Sequence, residues 1–229
     1  MAKKLTQEEL EQDPLLDTYA KAEEFYFSNK NTIIGAAIAV IILIGAGIGY
    51  YYYSQSQENK AQQLMGMAET YYLNGNYEMA LKGSEEEFTV GFEQIINNYS
   101  GTDAANLARY YAAVCEYNLG NAEQALSYIN DYEFPEGIMG VAPLSFKGVL
   151  LTELDNHEEA ARTYVRAAEL DINDSTTPYN YLEAANAFND AGNIEQAEEY
   201  AQRIVDEYPN STQVAEAQRL LGKLMATSK

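Results

Sequence analysis

The feature that most constrains this chain is a stretch of 21 residues without a charged side chain, from Ile33 to Tyr53. A helix of that length spans about 31 Å, which matches the hydrocarbon thickness of a bilayer. Aromatic residues flank the stretch, with Phe25 to Phe27 before it and Tyr50 to Tyr53 at its end. Such belts lie at the level of the lipid headgroups. The sequence therefore predicts one N-terminal transmembrane helix, at residues 32–53.

The charges around this helix predict its orientation. Four lysines precede it, whereas only Lys60 follows closely, so the positive-inside rule places residues 1–31 in the cytoplasm. That segment is acidic as well as basic and no clear cleavage motif follows it, which favours an uncleaved anchor over a signal peptide. We expect a single-pass protein of a bacterial inner membrane, with its C-terminal part in the periplasm. The spacing of Gly45 and Gly49 is also compatible with a homodimer through this helix.

The charge balance narrows the range of partners. The chain has 35 acidic and 14 basic residues, for a formal net charge of -21. An acidic surface repels phosphate backbones, so nucleic-acid binding is not expected. The expected partners are therefore other proteins, and a lipid bilayer contacted through one helix.

A short phrase occurs four times after the apolar stretch. In each copy a turn residue and an Asn precede a Glu and an Ala, and the alanines are Ala80, Ala125, Ala160 and Ala197. The turn residue is Gly75, Gly120 and Gly192 in three copies and Asp155 in the other. Glycine ends a helix in the left-handed conformation, Asn caps the next helix, and Ala allows two helices to cross closely. Self-similarity at this period predicts a helix–turn–helix array.

The array predicts an all-α fold in which the membrane helix is followed by an α-solenoid. We expect a linker at residues 54–60 and about four helix pairs in a domain at 61–226. The pairs are predicted at 61–102, 103–137, 141–174 and 178–210, and a capping helix at 212–226. An insertion near Gly83–Thr89 in the first pair is expected to form a bulge or loop. In the third pair we expect the leading helix at about Pro143–Leu154.

The repeats resemble the tetratricopeptide-repeat (TPR) family. The small residue of its leading helix is matched by Ala68, Ala113, Gly148 and Ala185, and the small residue of its trailing helix by the four alanines named above. The family's aromatic positions are matched by Tyr71, Phe188 and Tyr164, whereas Glu116 and Leu151 depart from the pattern. The resemblance implies a protein-binding module without catalytic activity.

An N-terminal anchor followed by such repeats is similar to the YfgM-like ancillary subunits of the bacterial Sec translocon, and to anchored TPR proteins of Bacteroidota. That resemblance implies an envelope adaptor or chaperone-like factor whose partners are translocon subunits, periplasmic chaperones or unfolded clients. Two alternatives stay open: a structural scaffold of an envelope assembly for division or outer-membrane biogenesis, and a receptor similar to those for organelle import.

In a TPR array the leading helices line a concave groove. Helical spacing places in it a set of side chains that is tyrosine-rich at the membrane end and polar at the far end. These are Met65, Tyr72, Tyr110, Val114, Tyr117, Val149, Leu182, Asn186 and Asn189. No catalytic, cofactor or metal site is expected. His157 and Cys115 are the only His and Cys, and the second histidine that a zinc motif needs four residues after His157 is missing.

Overall fold

A computed structural model describes residues 14–84 and 88–227 of the chain. The described residues form ten helices and one small sheet. The helices are α1 (Pro14–Leu73), α2 (Tyr77–Lys82), α3 (Phe92–Asn98), α4 (Asp103–Asn118), α5 (Ala122–Asn130), α6 (Ile138–Glu153), α7 (His157–Leu170), α8 (Thr177–Asp190), α9 (Ile194–Glu207) and α10 (Val214–Thr227). The strands are β1 (Gly83–Ser84) and β2 (Thr89–Val90). An all-α fold with almost no sheet was predicted, and it is confirmed.

The chain divides into two compact units, Met1–Ser56 and Gln57–Lys229. In the first unit the helix has a non-helical backbone at Asn29, with φ −116° and ψ 15°. Lys3 and Lys4, on which the predicted orientation partly depends, lie outside the described residues. Among the described residues one helix is long and apolar enough to cross a membrane, and none of its most apolar stretch is buried. The anchor predicted at 32–53 thus lies on a candidate membrane span.

The second unit contains the repeats. The end of α1 leads the first pair, and α4, α6 and α8 lead the next three; α5, α7 and α9 are their trailing helices, and α10 follows. The connecting turns have the expected backbone, with φ of +74° at Gly75, +85° at Gly120 and +79° at Gly192. Asp155, which replaces glycine in the third copy, has φ +58°. A positive φ costs a non-glycine residue some strain, so the turn is imposed on Asp155 by the helices on either side.

The small residues of the repeated phrase lie where the paired helices cross. All four trailing alanines are fully buried, as are Ala68, Ala113 and Ala185 of the leading helices. At the same position in the third pair, a Cβ on Gly148 would lie 2.7 Å from the ring of Tyr164. Close crossing through small residues was predicted, and the burial confirms it.

The insertion of the first pair is a β-hairpin. Strands β1 and β2 are antiparallel, with Gly83 opposite Val90 and Ser84 opposite Thr89. The hairpin divides the trailing helix into α2 and α3, and Gly91 packs directly against the backbone of Leu81, Lys82 and Gly83. A bulge or loop was predicted here, and the hairpin provides it.

The residues predicted as a linker, 54–60, contain the boundary between the two units and are helical within α1. One sequence expectation was wrong in detail. Helix α6 begins five residues before Pro143, which therefore lies inside the helix. Its start is instead fixed by Gly137, with φ +67°, and by the close approach of Gly140 to Pro135.

The asparagines of the turns cap less often than expected. Only the Asn193 side chain accepts a hydrogen bond from the next helix, from the Gln196 amide at 3.4 Å. Asn76, Asn121 and Asn156 make no side-chain cap bond. Asn121 instead donates to the Glu116 carboxylate at 2.7 Å, which gives that buried acid, a departure from the family pattern, its polar partner.

Candidate protein-binding surface

A groove of the repeat unit lies between two leading helices, α6 and α8. Its cavity volume is about 520 Å³, within the range of pockets that hold ligands. Helix α6 contributes Ile138, Val141, Ala142, Ser145, Phe146 and Val149. The residues just before α8 contribute Ser175 and Thr176, and α8 contributes Tyr179 and Asn180. None of these ten side chains is charged. We call this set the α6–α8 groove.

The floor of the α6–α8 groove is fixed by a polar contact between its two helices. The Ser145 hydroxyl lies 2.6 Å from the side-chain oxygen of Asn180 and 2.8 Å from the Val141 carbonyl oxygen. The Asn180 amide donates to the Thr176 carbonyl oxygen at 2.9 Å. Asn180 is almost fully buried, so this satisfied network sets the spacing of the two helices.

The edges of the α6–α8 groove are exposed apolar side chains. Ile138 is 52% exposed and Tyr179 is 41% exposed, on opposite helices. Water next to such side chains is released when an apolar partner covers them. The groove therefore presents apolar area to a partner on a rigid helical support.

Phe146 links this groove to the second helix pair. Its ring meets Tyr110 edge-on at 6.1 Å between centroids, and Tyr117 edge-on at 5.6 Å. Both tyrosines are half-buried, and burial raises the pKa of Tyr110. Tyr110 and Tyr117 thus support the wall of the groove through Phe146.

The other predicted groove residues are more dispersed. Tyr72 packs edge-on against Tyr111 at 4.9 Å and Tyr77 at 6.0 Å, in the first pair. Met65 and Leu182, each 4% exposed, belong to the packed cores of their repeats and offer little area to a partner. Val114, Asn186 and Asn189 are half-buried. Of the nine residues, Val149 lines the α6–α8 groove itself.

Sequence reasoning missed Ile138, Phe146 and Tyr179. Ile138 was overlooked because Pro143 was taken as the helix start, which left Ile138 outside the helix. The signal was present in the spacing of Ile138, Val141, Ala142, Ser145 and Val149, which follows one face of a helix.

Two reactive side chains lie away from the groove. Cys115 is fully buried, as expected of a core residue, and burial together with Glu116 raises the pKa of its thiol to about 12. His157 begins α7, with Nε2 3.6 Å from Asp155 Oδ1 and a buried Nδ1 without a hydrogen-bond partner. Within residues 14–84 and 88–227, no group of three His, Cys, Asp or Glu side chains could hold a metal ion.

Comparison with protein families adds an independent finding. The model of a family described as "Tetratricopeptide repeat-like domain" matches residues 23–169, and a "Tetratricopeptide repeat" model matches residues 179–211. The first match covers more than half of the chain and includes the apolar stretch as well as three helix pairs. No curated protein matches the chain.

Proposed function

Since the chain belongs to the tetratricopeptide repeat-like family, a group of protein-interaction modules, we propose that it is a membrane-anchored adaptor or chaperone-like factor beside the Sec translocon. In this proposal, α1 anchors the protein in the bacterial inner membrane and the repeat unit faces the periplasm. Its partners are translocon subunits, periplasmic chaperones or unfolded clients.

The observation that carries the proposal is the α6–α8 groove. An adaptor needs an accessible surface that recognises part of another polypeptide, and this groove offers uncharged, partly exposed apolar side chains on two leading helices. Helical and extended segments both bind such grooves through apolar anchors. Tyrosine, phenylalanine and isoleucine supply the contact area.

The anchor is supported by the exposure of its apolar side chains. Ile38, Ile41 and Leu43 are 52%, 67% and 71% exposed. A run of this kind has no counterpart in a soluble fold, where the largest exposed apolar patches are small. A bilayer supplies the missing apolar environment.

Photo-crosslinking in native membranes tests the binding role. A photoreactive residue replaces Val149 in the groove, and a matched one replaces Arg162, an exposed residue of the trailing helix α7. We expect crosslinks to other envelope proteins, including translocon subunits, from position 149 and few from position 162. Equal crosslinking from both positions contradicts binding through the groove. A single stoichiometric partner from position 149 supports the scaffold alternative instead.

Cysteine accessibility tests the orientation. The native Cys115 is buried, so an exposed reporter is required: Asn97→Cys in the repeat unit and Ala22→Cys ahead of the apolar stretch. With the outer membrane permeabilised, a membrane-impermeant maleimide should label position 97 and leave position 22 unlabelled. The reverse pattern overturns the periplasmic location and favours a receptor that faces the cytosol.

A further inference from the structure

Half-buried Glu183 lies near the α6–α8 groove: burial raises the pKa of the groove residue Tyr179, and the charge of Glu183 raises it further. Glu183 follows the groove residue Tyr179 by one helical turn on α8. No ion pair found among the described residues includes it. Burial raises the pKa of the Glu183 carboxyl, and the negative charge of Glu216 on α10 raises it further. A half-buried acid next to a second acid is a site where a positive charge would be stabilised.

The two helices of the groove supply no such charge. Helix α8 has no Lys or Arg, the one basic residue of α6 is Lys147, and no ion pair found among the described residues joins Lys147 to Glu183. Over residues 54–229 the chain has 28 acidic and 10 basic side chains. The repeat region therefore carries a net negative charge, which repels an acidic segment that approaches it.

We propose that the α6–α8 groove selects an apolar polypeptide segment that carries a lysine or arginine, with the apolar side chains between α6 and α8 and the cation against Glu183. The inference rests on the proposed adaptor function and specifies the chemistry of the bound segment. Apolar burial supplies most of the affinity, while the charge pair sets the preference and the register of the segment.

The selectivity depends on whether the bound segment places a positive or a negative charge at Glu183. A cation at Glu183 replaces water around a carboxylate that is already partly desolvated, so little further solvation is lost. An anion at the same place faces both Glu183 and Glu216. The groove therefore discriminates by attraction towards one class of segment and repulsion of the other.

Peptide binding to the full-length protein in lipid nanodiscs tests the inference. The probes are fluorescent Leu/Ala-rich peptides of about ten residues, identical except for one Lys, Gln or Glu near one end, with empty nanodiscs as the blank. We expect the Lys peptide to bind about fivefold more tightly than the Gln peptide, and the Glu peptide to bind more weakly than both. Glu183→Gln should remove the Lys preference, whereas Glu199→Gln, an exposed acid on the trailing helix α9, should preserve it.

A second variant separates the contribution of the apolar groove to peptide affinity from that of the Glu183 charge. Ile138→Ser removes an exposed edge of the groove, so it should weaken all three peptides by a similar factor and keep the order of their affinities. The inference is overturned if the wild type binds the three peptides equally, or if Glu183→Gln keeps the Lys preference. Equal binding that Ile138→Ser still weakens refutes the charge selectivity alone and leaves the adaptor function standing. Absence of binding by all three peptides, together with absence of crosslinks from position 149, refutes both.

Discussion

The two units of this protein use the same kinds of apolar side chain in opposite ways. In the first unit isoleucines are exposed, for example Ile41 at 67%, whereas in the second Ile95, Ile129 and Ile204 are fully buried. The contrast arises from pattern rather than composition. The apolar stretch is hydrophobic on every face, while repeat helices such as α7 and α9 have one apolar face and one charged face.

The difference implies different sources of stability for the two units. In the repeat unit, apolar area is removed from water by neighbouring helices, at about 25 cal/mol per Å². In the first unit none of the most apolar stretch is buried by the described residues, and the proposed function assigns that role to lipid. Substitutions should therefore have separable effects: a change in the repeat core should alter the free energy of unfolding, and a change in the apolar stretch should alter membrane integration.

Phe92→Ala is expected to have the largest effect, a loss of unfolding free energy in the repeat unit. Phe92 is fully buried and stacks on Tyr111, with ring centroids 5.3 Å apart and an interplanar angle of 9°. Loss of a buried phenylalanine costs about 3–5 kcal/mol of unfolding free energy. Urea unfolding of the full chain in detergent, followed by circular dichroism, measures it, while the amount of protein in the membrane fraction stays unchanged.

Phe88 is the matched control in the same helix pair. It is 91% exposed beside the hairpin, so Phe88→Ala should change the unfolding free energy by no more than about 0.5 kcal/mol. Similar losses from the two phenylalanines would contradict the packing described for the first pair.

Much of this fold could be predicted from the sequence alone. The repeated phrase was sufficient to predict four helix pairs, the left-handed turns and the small residues at the crossings, because each depends on local chemistry within about 35 residues. The insertion follows the first copy of that phrase and lengthens the interval from Ala80 to Ala125, so its presence was predictable. Its hairpin was not, since residues 83–90 carry no turn signal that specifies the strand register.

The candidate binding surface was harder to predict for a physical reason. Helical spacing gives the direction of a side chain from its own helix, but not the distance to the next helix. Met65 and Leu182 point between helices that approach closely, so they are buried. Phe146 was overlooked although it connects Tyr110 and Tyr117 to the groove, because contacts between repeats depend on how the pairs stack.

The next largest effect is expected from Ile41→Lys in the apolar stretch. A lysine near the centre of a membrane helix costs about 2.5–3.5 kcal/mol of insertion free energy. Alkaline extraction of membranes should therefore release more of this variant than of the wild type, and the urea midpoint of the repeat unit should not change. Gln63→Lys, at an exposed position of the same helix outside the apolar stretch, is the control and should be retained like the wild type. Unchanged retention of Ile41→Lys would show that this stretch does not cross a bilayer.

The smallest effects are expected at two glycines of the repeat unit and should have opposite signs. A methyl group added at Gly66 in α1 would meet no atom of another side chain or helix within 4 Å, so Gly66→Ala should stabilise the helix by about 0.5–1 kcal/mol.

At Gly148 the same methyl group would lie 2.7 Å from the Tyr164 ring. Tyr164 is only 3% exposed and has no room to move away, so Gly148→Ala should cost about 1–3 kcal/mol. The equivalent small residues, Ala113 and Ala185, are tolerated because the residues sixteen positions later are Ile129 and Ala201, which are smaller than tyrosine. In the third pair, glycine on the leading helix therefore leaves room for the tyrosine on the trailing helix. Urea midpoints that move in the same direction for Gly66→Ala and Gly148→Ala would contradict this account.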